Sequence, residues 1–398
     1  MNSFAHAQAT GLALFLALLN GCGGNVNLGG KGIADDATAS TEGGAPSAAE
    51  AASESVVVVP GDYSLYGLAV AGDFLYFTAS NGAQSGVYRC RKARCGATRE
   101  LLISGNISAL QVFGQRLGVA TFGDGDFWLG SYSLPNALDQ QVTIRDLPAP
   151  SFASTLFYEK FLFFALSLDD GLYRCALPDC AAGPERIART RNDTYSRLQA
   201  DADQIFWSDG SFIYRAGDYG RETAHAFLPD VALSDASADI LNADASPPDL
   251  IAAIAVGGGM LYASVSHSDA GKPCDSSCPY RLMRWPSGGG AGEILFSSEQ
   301  ILRNVMIFGS ELVWFGPSMR NPGKLDASSI TTCRVEACEA TRRDLGEIRT
   351  DLPTLVVDDL DVYWIKSEPT VSGGFVNGMP NPGFAIHEIR RAPRLPPP

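Results

Sequence analysis

The sequence predicts an all-β chain built as a single β-propeller of four-stranded blades. Seven blades are expected, with six or eight as the neighbouring counts. Two recurring patterns and the make-up of one unit carry this reading. A strand-length aromatic segment returns as FLYFT at Phe74, RLGVAT at Arg116, FLFFA at Phe161, QIFWSD at Gln204, MLYAS at Met260, ELVWF at Glu311 and DVYWI at Asp361. Aligning Phe77, Val119, Phe164, Trp207, Tyr262, Trp314 and Trp364 as equivalents gives spacings of 42, 45, 43, 55, 52 and 50 residues. A period of about 40–50 residues with four strands per repeat is that of propeller blades.

The unit Leu65–Ile103 shows the four strands plainly. LYGLAVAGD is an apolar run closed by a Gly-Asp turn; FLYFTAS, GVYRC and TRELLI follow, each bounded by turn residues. Aromatic and β-branched segments of this length, separated by turns, read as a meander. The third strand keeps the same phase independently: VYR at Val87, LYR at Leu172, IYR at Ile213, LMR at Leu282 and EIR at Glu388. An apolar residue two before an arginine shares its face. The first enters the core between blades, and the arginine packs its stem while its head reaches water or a carboxylate. The recurring aromatics are accordingly core residues rather than a ligand cage. Units two (FWLGSYS) and six (SSITTCR) depart from the pattern.

The segment QIFWSDGSFIYRAGDYG, Gln204–Gly220, resembles a blade of the YWTD propeller family of the low-density lipoprotein receptor type. Phe206-Trp207-Ser208-Asp209 stands at the Tyr-Trp-Thr-Asp position, and Ile213-Tyr214-Arg215-Ala216 at the family's Ile-x-Arg-Ala strand. The chain is also similar to loosely defined repeat-bearing lipoproteins of Gram-negative bacteria. The resemblance implies a binding scaffold and carries over no catalytic residues.

Ahead of the propeller, residues 1–21 read as a lipoprotein signal peptide. Its apolar stretch Gly11–Leu19 is too short to span a membrane. Leu19-Asn20-Gly21-Cys22 resembles a lipobox, in which the Cys22 thiol is acylated and becomes the new N-terminus. Such an anchor holds a protein on a membrane surface. Residues 22–55, rich in Gly, Ala, Ser and Thr, lack the apolar side chains needed to fold and read as a disordered tether. The propeller is assigned to 56–392 and a Pro-rich tail to 393–398. The last unit shows only three strands before its prolines, which cannot donate to a ladder. Val56–Val59 is therefore expected to supply the missing outer strand and close the ring.

Apart from Cys22, the cysteines form four local pairs, Cys90/Cys95, Cys175/Cys180, Cys274/Cys278 and Cys333/Cys338. An even count in an exported chain predicts disulfides, here across third-to-fourth-strand hairpins. Zinc would need two pairs from different blades. The net charge is −14 and the basic residues are scattered and mostly arginine. That excludes the basic stripe of a nucleic-acid binder. The address is a bacterial envelope: outer membrane or periplasm-facing membrane, lipid-anchored, as a monomer.

Four long connections, Pro229–Asp249, Ser264–Pro279, Gly316–Ser329 and Ser367–Gly383, all fall on one face in a four-stranded meander. Long loops on a rigid scaffold are where function concentrates. The candidate binding residues on them are Asp235, Asp239, Asp244 and Asp249, then His267, Asp269, Arg320 and Phe375. The four aspartates suit calcium, although their spacing matches no known calcium motif. No other cofactor is called for. The four histidines share no motif, and no G-x-S-x-G, H-E-x-x-H or phosphate loop occurs. The leading expectation is a binding scaffold for a protein or glycan partner. The alternatives are a propeller hydrolase or lyase using the same face, and a structural envelope lipoprotein.

Overall fold

Seven four-stranded antiparallel sheets follow one another along the chain. The computed structural model describes residues 56–59, 64–80, 84–123, 126–136, 140–144, 152–166, 171–189, 198–208, 213–220, 225–226, 251–266, 279–317, 328–348, 354–368, 375–376, 379–380 and 386–395. The expected signal peptide, tether and Cys22 lie outside these residues. Blade 1 comprises Ser64–Ala71, Phe74–Ser80, Ser85–Arg91 and Glu100–Ser104. Blade 2 begins at Asn106–Phe113, blade 3 at Phe152–Tyr158, blade 4 at Gln199–Asp201, blade 5 at Ile251–Gly257, blade 6 at Arg303–Phe308 and blade 7 at Leu355–Val357.

Blade 7 is completed as the sequence predicts. Its first three strands are Leu355–Val357, Asp361–Glu368 and Ile386–Pro393, and the outer fourth is Val56–Val59. Val56 pairs with Arg391, Val57 with Arg390 and Val59 with Ile389. The last strand runs to Pro393, and Arg394 and Leu395 continue into bonded positions on blade 6.

What holds the blades face to face is a set of seven apolar cores, one between each successive pair. The core of blades 6 and 7 joins Val313, Phe315 and Ile330 to Leu355 and Trp364. The core closing the ring joins Tyr363, Ile365 and Ile389 of blade 7 to Phe77 and Tyr88 of blade 1. Second strands have period-two side chains and are buried on both faces, so adjacent residues serve opposite cores: Tyr76 packs against blade 2 and Phe77 against blade 7. Truncating a buried aromatic of this kind costs about 3–5 kcal/mol.

Register corrects two of the sequence alignments. Phe77 lies opposite Leu68 and Tyr88, whereas Tyr262 lies opposite Ala255 and Arg284, the pattern of Tyr76 with Ala69 and Arg89. The equivalent of Phe77 in blade 5 is therefore the buried Ala263. In blade 7, Tyr363 lies opposite Arg391. The third-strand triplet is thus Ile389-Arg390-Arg391 rather than one starting at Glu388. The first error arose because an aromatic at either of two adjacent positions satisfies the pattern when both faces are buried, and the second because Arg390 and Arg391 are adjacent and either completes a triplet.

The disulfides Cys90–Cys95, Cys175–Cys180 and Cys333–Cys338 are formed, with Cα separations of 4.7, 5.2 and 4.8 Å. Cys274 and Cys278 lie outside the described residues. The second cysteine does not sit on the fourth strand as expected. Cys95 and Cys338 each open a one-turn helix, Cys95–Thr98 and Cys338–Thr341. In both, the threonine hydroxyl donates to the carbonyl four residues back, at 3.0 Å to Arg94 and 2.8 Å to Ala337. It also accepts from the amide of Arg91 or Arg334, at 2.9 and 2.8 Å. A repeated Cys-Arg-x3-Cys-x-Ala-Thr-Arg, from Cys90 and from Cys333, encodes this cap and was legible in the sequence.

Candidate functional site

The two ends of the blades differ in kind. First-to-second turns are two residues long in blades 1 to 6, with a left-handed first residue. It is glycine at Gly72, Gly114, Gly258 and Gly309, and Glu159 (φ 50°) and Ala202 (φ 54°) in blades 3 and 4. Left-handed turns of this length match the twist of the strands they join.

Third-strand arginines then knit this turn face together. Arg89 ion-pairs with Glu100 of its own blade and donates to the Pro135 carbonyl and, at 2.8 Å, to Asn136 Oδ1 of blade 2. Arg174, buried, pairs with Glu185 and donates to the Tyr219 carbonyl of blade 4 at 2.7 Å. Arg215 reaches the Ser287 carbonyl of blade 5 at 2.7 Å. Arg284 pairs with Glu293 at 2.7 Å and with Glu336 of blade 6 at 3.4 Å. The heads of Arg89, Arg174 and Arg284 rest on a carboxylate of their own blade, one of the two expected outcomes, and a contact to the following blade is added. Where blade 2 lacks the arginine, Ser131 takes its place and receives the Arg116 Nε at 2.8 Å. Blade 6 substitutes Thr332, whose hydroxyl donates to the buried Glu311 at 2.5 Å.

On the same face, Tyr219 donates to Glu159 at 2.6 Å. That hydrogen bond, with lesser help from burial and the Glu159 charge, pushes the phenol up to about 12. Both residues have left-handed backbones. Lys160 lies 5.5 Å above the rings of both Phe161 and Tyr219. These contacts join blades 3 and 4.

The opposite face carries the second-to-third and fourth-to-first connections. The strands that precede the four long segments, His225–Ala226, Met260–Ser266, Glu311–Pro317 and Asp361–Glu368 in blades 4 to 7, all end at this face. Asp235, Asp239, Asp244, Asp249, His267, Asp269 and Arg320 lie outside the described residues. Phe375 belongs to a short hairpin, Phe375–Val376 with Met379–Pro380. Among the described residues, no group of three His, Cys, Asp or Glu is placed to hold a metal ion.

The first strands line an axial cavity of about 370 Å³. Leu110 and Gln111 of blade 2, Thr155 of blade 3, Leu198 and Gln199 of blade 4 and Met306 of blade 6 contribute to its wall, and none of the described residues lining it is charged. Gln111 is fully used: its amide donates to the Phe157 carbonyl at 3.1 Å and accepts from the Phe157 amide at 2.9 Å. It thereby extends the backbone ladder from blade 2 into blade 3. Nothing in the repeat pattern singles out this residue.

The class defined by these features is a closed seven-bladed propeller whose ring is completed by its N-terminal strand. No family model matches the chain, and no curated protein matches it in sequence. Among solved structures it is similar to the β-propeller domain of the Trilobed protease from Pyrococcus furiosus. That match has 10% identity and a TM-score of 0.50, covering 83% of this chain and 93% of that one. It is similar as well to the AfRom2 CNH domain, at 10% identity and a TM-score of 0.50, over 85% and 98% of the two chains. A chain of a nidogen/laminin complex matches at 17% identity and a TM-score of 0.35, over 52% and 70%. The likeness is one of fold, shared by a protease domain and by a domain of another kind.

Proposed function

We propose that the chain is an exported, lipid-anchored scaffold that binds a protein or glycan partner through the face bearing its four long connections. One observation carries the reading: the asymmetry between the faces. One face is closed by two-residue turns and arginine contacts, while strand order sends every long connection of blades 4 to 7 to the other. Rigid scaffolds with variable loops gathered at one end are binding platforms. The three disulfides favour an oxidising compartment, in keeping with export. Cys22 serves as the lipid attachment point, on the strength of its lipobox alone.

The test is a cross-linking capture from whole bacterial envelopes with the full chain as bait. A second bait has Pro229–Asp249 and residues 369–385 each replaced by a short Gly-Ser linker. A partner recovered by the intact chain and lost by the variant supports the scaffold. Identical recovery from both baits, with both folded by circular dichroism, sinks it. Metal-dependent thermal stabilisation that vanishes with the loops would redirect the reading to a metal-using propeller enzyme.

A further inference from the structure

The corner where blade 7 meets blade 1, on the turn face, holds a groove of about 420 Å³. It is lined by Val56 and Val57 of the strand that closes blade 7, by Lys92, Arg94 and Gly96 of the blade 1 cap, and by Arg391 of the third strand of blade 7. Val56 is 53% and Val57 41% exposed. Apolar side chains open to solvent thus stand beside three cations.

Two of the cations are committed within the ring, Lys92 to Asp358 at 2.7 Å and Arg391 to Asp361 at 3.6 Å. Arg94 is exposed and pairs with no carboxylate among the described residues. The second cap shows that the fold does not require this arginine. Cys333–Thr341 repeats Cys90–Thr98 in its threonine hydrogen bonds and in its backbone, with φ −147° and ψ 48° at both Arg94 and Ala337. The positions of Lys92, Arg94 and Gly96 are taken there by Val335, Ala337 and Glu339. The outer strand beside that cap also bears an exposed apolar residue, Ile294. One architecture therefore serves two corners of different charge. Cys90–Thr98 carries Arg91, Lys92 and Arg94 and no carboxylate, whereas Cys333–Thr341 carries Arg334 with Glu336 and Glu339. On a chain of net charge −14, the basic corner is a departure that cap formation does not account for.

The chain also enters the ring at this corner. Val56 pairs with Arg391 and Val59 with Ile389, so the closing strand starts at the turn face and runs toward the long-connection face. Cys22, the proposed lipid attachment point, stands 34 residues before Val56. An anchor there keeps the corner beside a membrane and raises the effective concentration of headgroups against it. Anionic headgroups attract clustered Lys and Arg, and exposed valines suit the boundary between headgroups and acyl chains. We infer that this groove docks on the anionic phospholipid headgroups of the membrane that carries the anchor. Docking there turns the long-connection face away from the lipid and toward a partner, which an anchor by itself would not do. The inference rests on the anchored-scaffold reading and adds to it the orientation of the ring.

The experiment follows hydrogen exchange in the full chain on vesicles of phosphatidylcholine alone and of phosphatidylcholine mixed equally with phosphatidylglycerol. Exchange in Lys92–Thr98 should slow severalfold on the anionic vesicles and not on the neutral ones, and high salt should abolish the difference. A basic residue near an anionic surface is worth about fivefold in binding. Arg94→Ala should therefore weaken the docking behind that slowing about fivefold, while Arg94→Lys retains it. Alanine is what the second cap carries at the same backbone geometry, so Arg94→Ala should keep the parental melting temperature. Arg186→Ala, at the exposed start of the outer strand of blade 3, should leave the slowing unchanged. Equal exchange on the two kinds of vesicle overturns the inference and leaves the groove to an acidic segment of this chain or of a partner protein. Equal slowing in the parent and Arg94→Ala overturns it as well. So does slowing by millimolar glycerol phosphate without vesicles, which would assign the groove to a soluble phosphate. The intact mass of the chain recovered from envelopes separates this inference from the reading beneath it. Slowing in a chain whose Cys22 carries no acyl group upholds the groove and removes the anchor. An acylated chain without slowing removes the groove alone.

Discussion

Arg394, beyond the last strand, places its Nε 2.8 Å from Oε2 of the buried Glu311 in the second strand of blade 6. The same guanidinium donates to the carbonyls of Phe308 and Asp358 at 3.1 Å each, and the Leu395 amide reaches Glu311 Oε1 at 3.2 Å. Glu311 is 2% exposed, so its charge is tolerable only with these donors and Thr332 in place. The end of the chain is thus a fastener between blades 6 and 7. Arg394→Ala leaves a buried carboxylate uncompensated and is expected to destabilise by about 3 kcal/mol, the cost of breaking rather than replacing a buried pair. Glu311→Gln/Arg394→Met should recover most of that loss. Urea unfolding of these two variants and of Glu311→Gln and Arg394→Met singly measures both quantities, and an additive double variant would show that the pair is not coupled.

A second fastener, Lys92 to Asp358 at 2.7 Å, crosses from blade 1 to blade 7 at the seam. Burial alone would raise the Asp358 carboxyl. The Lys92 hydrogen bond and the amides of Asp361 and Leu360 outweigh it, and the group titrates below its ordinary value of 3.8. A depressed carboxyl contributes stability above its unfolded pKa and loses it as pH falls through the folded one. Asp358→Asn should therefore lower the melting temperature near neutrality, with the difference starting to shrink only below about pH 4, near the unfolded aspartate pKa, and closing as pH falls through the still lower folded value. A difference that is constant from pH 3 to 7 would exclude this ionisation as the cause.

How much of this was legible follows from which forces leave a mark in sequence. Blade count, ring closure by Val56–Val59 and the local disulfides each rest on period, strand count or cysteine spacing, and those survive divergence of individual residues. The phase errors have two sources: at Tyr262 both faces are buried and two adjacent positions are equally apolar, and at Glu388 the successive Arg390 and Arg391 each complete a triplet. The arginine contacts were half visible: the repeated Arg was evident, but its acceptors at Tyr219 and Ser287 are carbonyls, which any residue supplies. Arg394 and Gln111 carry no repeat and act through single contacts, so no period could reveal them.

Gly118 faces Gln111 across blade 2, and a Cβ there would enter the Phe157 ring of blade 3. Phe157 itself stacks on Phe113 with centroids 4.9 Å apart. Gly118→Ala is overpacking against a ring that cannot retreat, and about 1–3 kcal/mol is expected. Gln111→Ala removes both bonds to the Phe157 backbone and should accelerate amide exchange at Phe157. Hydrogen exchange at that amide is the direct readout, and unchanged protection in Gln111→Ala would mean that the inner strands hold together without the side chain.

Each short disulfide closes a six-residue loop, for which the chain-entropy estimate is about 2 kcal/mol. Cys90 and Cys333 are buried in the cores facing blades 7 and 5. Alanine at both cysteines of the Cys90–Cys95 pair should cost that amount, and serine more, because a hydroxyl would be left in an apolar core. Denaturant midpoints of the Ala and Ser double variants test the ordering. Equal losses would place the former sulfur positions in contact with water.

The ring itself hangs on four residues. Val56–Val59 is the outer strand of blade 7, and Val59, 1% exposed, inserts between that blade and blade 1. Val57 pairs with Arg390 in the ladder, so Val57→Pro removes a donor and Val59→Asp buries an unpaired charge. A seven-bladed ring without its clasp still has six intact inter-blade cores, so the variants should open locally at the seam before unfolding globally. The expected signature is a lost single transition: an early, small step in thermal unfolding, with hydrogen exchange faster in Ile386–Pro393 and in Ser64–Ala71, while blades 3 to 5 keep parental protection. Uniform loss of protection across all blades would instead show that ring closure and blade folding are one cooperative event.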